Sequence, residues 1–339
     1  MALSRRTVLA AGLAAPGLAL SGSLARAAAP GACKVGFFTE TKPTMIAKGL
    51  GWFDQGVGTK ISWTEYGSGV EINAAMVAGG ADFGLATGSV ATAAGIAQGL
   101  PLKLIGMVDN IGPAEEMTVR KTANITKPAD FKGKKVATPF GSTSHFRLLG
   151  FLKTNNLTQS EVTVLDMRPD AIVAAWTRGD IDAAYVWAPA KSKLLAAGGV
   201  KYVTYKKLDA AGYVIADLIV VRNGFAQEYP NAVVGFLKAY GRALSMWQKM
   251  PQQAADIVAK QAGVTPAVAT ADMSLYDFVP QKTQLTARWL GPPGKGGAFC
   301  HTLKGTADFL VTQKSIRRAP LLATFVRGTD TSYLAKAVA

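Results

Sequence analysis

The chain of 339 residues contains only two cysteines and two histidines. That is too few for a disulfide-stapled scaffold, a zinc ribbon or a multi-histidine metal centre. Acids are scarce too: 22 Asp and Glu stand against 37 Lys and Arg, a net charge of +15. Such a balance raises nucleic acid, a membrane surface or a small anion as partner. The lysines are scattered in ones and twos with no aromatic-basic stripe, which argues against nucleic acid. No G-x-x-x-x-G-K-[ST] phosphate loop is present, and nothing in the sequence asks for a cofactor. Beyond the first 27 residues no apolar stretch reaches transmembrane length without a charge or a break. With 49% hydrophobic and 17% charged residues, disorder is excluded as a general description. What remains is a globular chain long enough for one large or two ordinary domains, either a binder or an α/β enzyme.

The first segment reads as a leader. Arg5-Arg6 precedes an Ala/Leu-rich stretch to Leu20, and small residues end in Ala25-Arg26-Ala27. A basic start, a short apolar core and an A-x-A site make a secretory signal at 1–27, and the arginine pair suggests the twin-arginine route. Pro16 interrupts the run, which is too short to span a bilayer. Cleavage after Ala27 would remove Arg5, Arg6 and Arg26 and no acid, so part of the charge belongs to the leader. Export to an oxidising compartment leaves two readings for Cys33 and Cys300: a staple between the chain ends, or two free buried thiols.

From Lys34 onward short apolar runs alternate with amphipathic stretches. Strands are expected at Val35–Phe38, Lys60–Glu65, Phe83–Ala86 and Leu102–Val108, with helices at Thr44–Phe53, Gly69–Ala78 and Ser89–Gln98. After a lysine-rich connection the rhythm resumes: strand Lys135–Thr138, helix Ser142–Thr154, strand Val162–Leu165, helix Asp170–Arg178, strand Ala183–Val186. Ala216–Val221 is another apolar run, and the rest is mostly helical, Pro230–Met250 being the longest stretch. Strands spaced by helices of this length form parallel βαβ units, so the fold class is α/β.

In parallel α/β sheets small ligands bind at the carboxyl ends of strands, against helix N-termini. Four such junctions are rich in glycine and hydroxyls: Thr39-Glu40-Thr41, Gly67-Ser68-Gly69, Thr87-Gly88-Ser89 and Gly141-Ser142-Thr143-Ser144. Any one of them can be an ordinary N-cap, whereas four together make an oxyanion pocket.

Two stretches carry a family resemblance: D-F-K-G-K-K-V-A-T-P-F-G-S-T-S-H from Asp130 to His145, and A-I-V-A-A-W-T-R-G-D-I-D-A-A-Y-V-W-A-P-A from Ala171 to Ala190. With Tyr66–Gly69, Gly80–Gly84 and Asp217–Arg222, they resemble the taurine, sulfonate and nitrate solute-binding proteins of ABC transporters, the taurine binders in particular. The likeness covers most of the chain to about Tyr229 and thins in the helical tail. It implies a type II periplasmic binding protein fold, two α/β lobes joined by two crossover strands near Met117–Lys121 and Leu218–Arg222. Lobe one is then 28–118 with 220–339, and lobe two 119–219. It further implies a periplasmic monomer that is not an enzyme and delivers taurine or a related organosulfonate to an inner-membrane permease with its ATPase. The alternatives are a different small zwitterion or anion, or an enzyme on the same fold related to pyrimidine-precursor synthases.

The resemblance also assigns roles. Ser89, Ser142 and Thr143 lead as sulfonate donors, with Thr39, Glu40 and Gly88 on the same junctions. The ammonium asks for an acid or a π face, and Glu115, Asp217 and Trp187 fall where these are wanted. Each keeps a plainer reading: Glu115 as a solvated loop acid beside Glu116, Asp217 in a buried structural pair, Trp187 as core. Trp176 and Trp289 read as core. His145 follows a hydroxyl cluster, as cleft residue or as cap. Glu40 and Lys42 depart from the family pattern of a small residue and an acid, and a charge reversal there bears on which ligand is taken.

Overall fold

A computed structural model describes residues 29–339; the expected leader, its arginine pair and its cleavage site lie outside the described residues. Two five-stranded mixed sheets form the frame. The first has the order β2-β1-β3-β10-β4, from β1 (Cys33–Phe37), β2 (Ile61–Glu65), β3 (Phe83–Gly88), β4 (Leu102–Asn110) and β10 (Ala216–Arg222). The second has the order β7-β6-β8-β5-β9, from β5 (Glu116–Arg120), β6 (Lys135–Thr138), β7 (Thr163–Asp166), β8 (Ala183–Val186) and β9 (Gly199–Tyr202). In each, three parallel strands come from βαβ units, and one strand runs antiparallel beside the third: β10 on β3, and β5 on β8. The periodicity expected from sequence is therefore present twice.

The helices of the first half are α1 (Thr44–Gly49), α2 (Trp52–Val57), α3 (Gly69–Val77) and α4 (Ser89–Ala97). Those around the second sheet are α5 (Thr143–Thr154), α6 (Pro169–Arg178), α7 (Ala190–Ala196) and α8 (Tyr205–Ala210). The tail adds α9 (Asn223–Glu228), α10 (Pro230–Lys249), α11 (Pro251–Ala262), α12 (Pro266–Met273), α13 (Gln281–Gln284), α14 (Phe299–Thr312), α15 (Leu322–Gly328) and α16 (Ser332–Val338). None of the described helices is long and apolar enough to cross a membrane.

Two differences from the sequence expectation have simple causes. The helix expected over Thr44–Phe53 is broken into α1 and α2 because Gly51 adopts φ 67°, a left-handed turn that ends one helix before the next begins. The expected lobe boundaries at 118/119 and 219/220 cut through β5 and β10, yet β5 belongs whole to the second sheet and β10 to the first. The chain instead passes between the sheets at 111–115 and 211–215.

The core of the first sheet is closed by α10, whose buried Ala232, Val233, Phe236, Leu237, Tyr240 and Ala243 recur at helical spacing. Phe236 stacks between Phe53 and Phe83, with ring centroids 4.2 Å away on each side. That approach is possible because α2 and α10 cross at Gly56 and Gly235: a Cβ on Gly235 would stand 1.8 Å from the Gly56 carbonyl oxygen. The tail also touches the second sheet's layer, where Phe309 of α14 meets Phe146 and Tyr213 edge-on at 5.1 and 5.3 Å. Cys33 and Cys300 are both buried free thiols, which decides between the two readings above.

Candidate functional site

The carboxyl ends of β1, β3, β6 and β8 converge on a narrow cavity between the two sheets. Its wall is Phe38 and Glu40 after β1, Ala86 and Gly88 on β3, Gly141–Thr143 after β6 and Trp187 after β8. Gly69, Ala91, Glu115 and Asp217 complete it. This is where parallel α/β sheets place ligands. A bulge in β3 shapes the wall: Leu85 and Ala86 oppose Ile219 alone on β10, and Ala86 takes φ 58°.

Three helix N-termini reach the cavity through residues without bulk. Gly69 opens α3, Gly88 caps α4, and Ser142 caps α5 with its Oγ accepting from His145 N at 3.2 Å. The first turn of each helix offers backbone N–H groups without intrahelical partners and the positive end of its dipole, which suits an oxyanion. A Cβ on Gly88 would come within 2.9 Å of Thr143 Cγ2, so the two helix starts meet closely across the cleft.

The same wall carries carboxylates. Glu40, Glu115 and Asp217 line the cavity and are 3%, 2% and 5% exposed. Behind them Lys42, wholly buried, bonds Asp217 Oδ2 and lies 3.3 Å from Glu40 Oε1. Asp109 Oδ2 is 3.0 Å from the same Nζ, in ion-pair range though not aligned as a hydrogen bond. Thr143 Oγ1 donates to Glu115 Oε2 at 2.9 Å, whereas Glu115 Oε1 and Glu40 Oε2 have no partner. Three acids around one lysine, with Glu115 beyond them next to Asp217, are short of positive charge, and burial disfavours their ionised forms. Burial thus pushes Glu115 up to about 7, helped by neighbouring Asp217 and opposed by Arg147 and the hydroxyls of Ser144 and Thr143. Burial likewise pushes Asp109 up to about 8 against the pull of Lys42. Glu40 and Asp217 move up for the same reason. Lys42 stays charged, because its three carboxylates outweigh the cost of its burial.

Buried cations from the second sheet's layer hold the two connecting segments. Arg147, one turn after Thr143 on α5, donates to Gly112 O at 3.0 Å and Tyr213 O at 3.3 Å, and pairs with Asp209. Lys191 of α7 donates to Ala114 O, and Ile111 N donates to Ile215 O at 3.2 Å, joining one segment to the other. Contacts across the cleft hold the two halves together. Arg168 pairs with Glu71 at 3.0 Å, Ser192 Oγ donates to Asp272 Oδ1 at 2.6 Å, and Trp187 meets Phe38 edge-on at 5.8 Å.

Of the residues expected from sequence, Glu40, Gly88, Glu115, Ser142, Thr143, Trp187 and Asp217 lie on this wall. Three do not. Thr39 N donates to Glu65 Oε1 at 3.3 Å, and the residue faces a separate groove beside Arg168. Ser89 is fully buried and its Oγ accepts from Ala216 N at 3.3 Å, tying α4 to β10. His145 turns back over its own helix start, where Nδ1 accepts from Gly141 N at 3.3 Å and the ring stacks on Phe140 at 4.2 Å. Burial lowers it to about 4, so it is a neutral cap. Asp217 is both on the wall and in a buried pair, because Lys42 bonds its Oδ2. Lys42 and Asp109, absent from the sequence-based set, belong to the cluster.

Residues 39–254 match the family described as NMT1/THI5 like. The chain is 34% identical over 240 residues to the taurine-binding periplasmic protein of Escherichia coli K12, covering 68% of this chain and 70% of that one. Among solved structures it resembles the alkanesulfonate-binding protein SsuA from Xanthomonas axonopodis bound to MOPS. The TM-score is 0.74 at 22% identity, over 89% of this chain and 99% of that one. The periplasmic aliphatic sulphonate binding protein SsuA from Escherichia coli gives 0.69 at 22% identity, over 87% and 91%. The desulfurization enzyme DSZB shares the fold at 0.59 and 15% identity, over 90% and 99%.

Proposed function

This chain belongs to the NMT1/THI5-like family, and from that premise we propose that it is a periplasmic solute-binding protein. It delivers taurine or a related amine-bearing sulfonate to an ABC permease and its ATPase. One observation carries the reading: a single cavity wall bears three helix N-termini and three carboxylates, two of whose oxygens lack partners. A bare anion would meet those carboxylates, and a bare cation would meet the helix N-termini. A zwitterion satisfies both sets, its sulfonate on the amides and hydroxyls near Gly69, Gly88 and Ser142, its ammonium on Glu115 and Glu40. The E. coli relative, named for taurine, supports this choice of ligand.

Binding and release follow from hinge motion about 111–115 and 211–215. The ligand contacts residues of both sheets' layers only when they are together, so it stabilises the closed form by that difference. The twin-arginine leader read from the sequence accounts for a periplasmic location, and the receptor works as a monomer.

The DSZB likeness makes an enzyme the competing reading. Cys33 and Cys300, the candidate nucleophiles by residue type, do not line the cavity, and burial pushes the Cys33 thiol up to about 12, far from a reactive thiolate. Incubating the purified protein with taurine separates the two. A receptor shows a raised thermal midpoint and returns the taurine unchanged, whereas sulfite or sulfate in the supernatant would establish turnover.

A further inference from the structure

Lys42 is the one lysine inside the acidic cluster, and the ligand reading does not use it. Around its Nζ stand Asp217, Asp109 at 3.0 Å, Glu40 at 3.3 Å and the face of Tyr276, whose centroid is 4.4 Å away. Carboxylates plus an aromatic face are what an alkylammonium ligand requires; here the chain supplies the ammonium itself. Lys42 is off the cavity wall, while Asp217 and Glu40 are on it, so the lysine approaches the cluster from behind. On the cavity wall the carboxylate oxygens left without a hydrogen-bond partner are Glu115 Oε1 and Glu40 Oε2, on buried residues; both oxygens of Asp109 also lack one, but Asp109 lies off the wall beside Lys42.

We infer that Lys42 is a specificity-determining residue: it fills the ammonium cage of Asp217, Asp109 and Glu40, so that a ligand's own ammonium is read by Glu115 and the free Glu40 oxygen. The assignment deepens the zwitterion reading and, for the ligand part, rests on it. The cage does not, because it is defined by the chain's own lysine. Asp217 then acts through Lys42 and affects any ligand alike, whereas Glu115 distinguishes ligands with an amine from those without.

Two measurements test this. In calorimetry with taurine and ethanesulfonate, Asp217→Asn should weaken both and change their affinity ratio by less than about threefold. Glu115→Gln should collapse that ratio by about tenfold or more. A collapse in Asp217→Asn equal to that in Glu115→Gln would overturn the assignment. Second, Lys42→Ala removes the atoms of an n-propylammonium ion. Added n-propylammonium chloride should raise the thermal midpoint of this variant and leave the wild type unmoved, with sodium chloride at equal ionic strength as reference. If the variant folds poorly, its refolding yield should rise with the amine. Absence of rescue in both readouts would overturn the cage. A wild type that bound neither sulfonate would refute the zwitterion reading, and the amine rescue would still decide the role of Lys42.

Discussion

Glu115→Gln exchanges one carboxylate oxygen for an amide in a side chain that is 2% exposed, preserving shape and the hydrogen bond from Thr143. It should cost the protein its response to a ligand amine and little else. A hydrogen bond between charged groups contributes about 1.5–3 kcal/mol, so taurine should bind about 10- to 150-fold more weakly. Ethanesulfonate, which brings no ammonium, should hold its affinity or gain. The pH profile gives a second, independent signature. With Glu115 held up to about 7, only a minor fraction is ionised at pH 6 and most at pH 8. Wild-type affinity for taurine should therefore rise about tenfold across that interval, with protons released on binding, while Glu115→Gln stays flat. Isothermal titration in buffers of different ionisation enthalpy reads both affinity and proton count. Equal losses for the two sulfonates, or a pH slope that survives in Glu115→Gln, would refute the reasoning.

The raised acids also set the stability of the empty protein. Asp109 and Glu115 bind protons in the fold, near pH 8 and 7, that they release when unfolded at ordinary carboxylate values. More protons on the folded side means stability falls as pH rises towards those values. His145, lowered to about 4, acts oppositely but only below its ordinary 6.5, and Lys191, lowered to about 8, acts oppositely only above that. Urea midpoints should thus fall from pH 6.5 to 8; a rise would contradict the charge deficit. Gly235→Ala puts a Cβ 1.8 Å from the Gly56 carbonyl oxygen, and overpacking of about 1–3 kcal/mol should lower the thermal midpoint by several degrees; an unchanged midpoint would show that α10 can slide. Thiol titration should find Cys33 and Cys300 unreactive in the fold and both reactive in denaturant, whereas no thiols in denaturant would mean that they pair.

Much of the frame was legible because it is local. The apolar runs at β1, β3, β6 and β8 and the glycine and hydroxyl residues that follow announce strand ends and helix starts within a few residues of chain. The family likeness ran through the same stretches. The shorter β9, α7 and α8 went unread, since four to seven residues with weak periodicity leave little to detect. His145 keeps two readings in the sequence, because a histidine after Ser142-Thr143-Ser144 can serve a site or cap a helix, and the bond from Gly141 N and the stacked Phe140 ring favour the cap. The acid cluster was out of reach for another reason. Glu40, Lys42, Asp109 and Asp217 come from three distant segments, and which carboxylate pairs with the lysine is settled by β4 and β10 lying side by side. Lys42 could be noticed as a departure, but its partners could not be named. Arg147 likewise looks like any arginine on an amphipathic helix until 111–115 and 211–215 pass beneath it.

The most direct test of the account is the position of the sulfur atom in a crystal of the taurine complex, located by its anomalous signal. The expected result is a single peak in the cavity against the starts of α3, α4 and α5, with the amine end of the molecule on Glu115. A peak lying against Glu40, Glu115 and Asp217 instead, or outside this cavity, would contradict it.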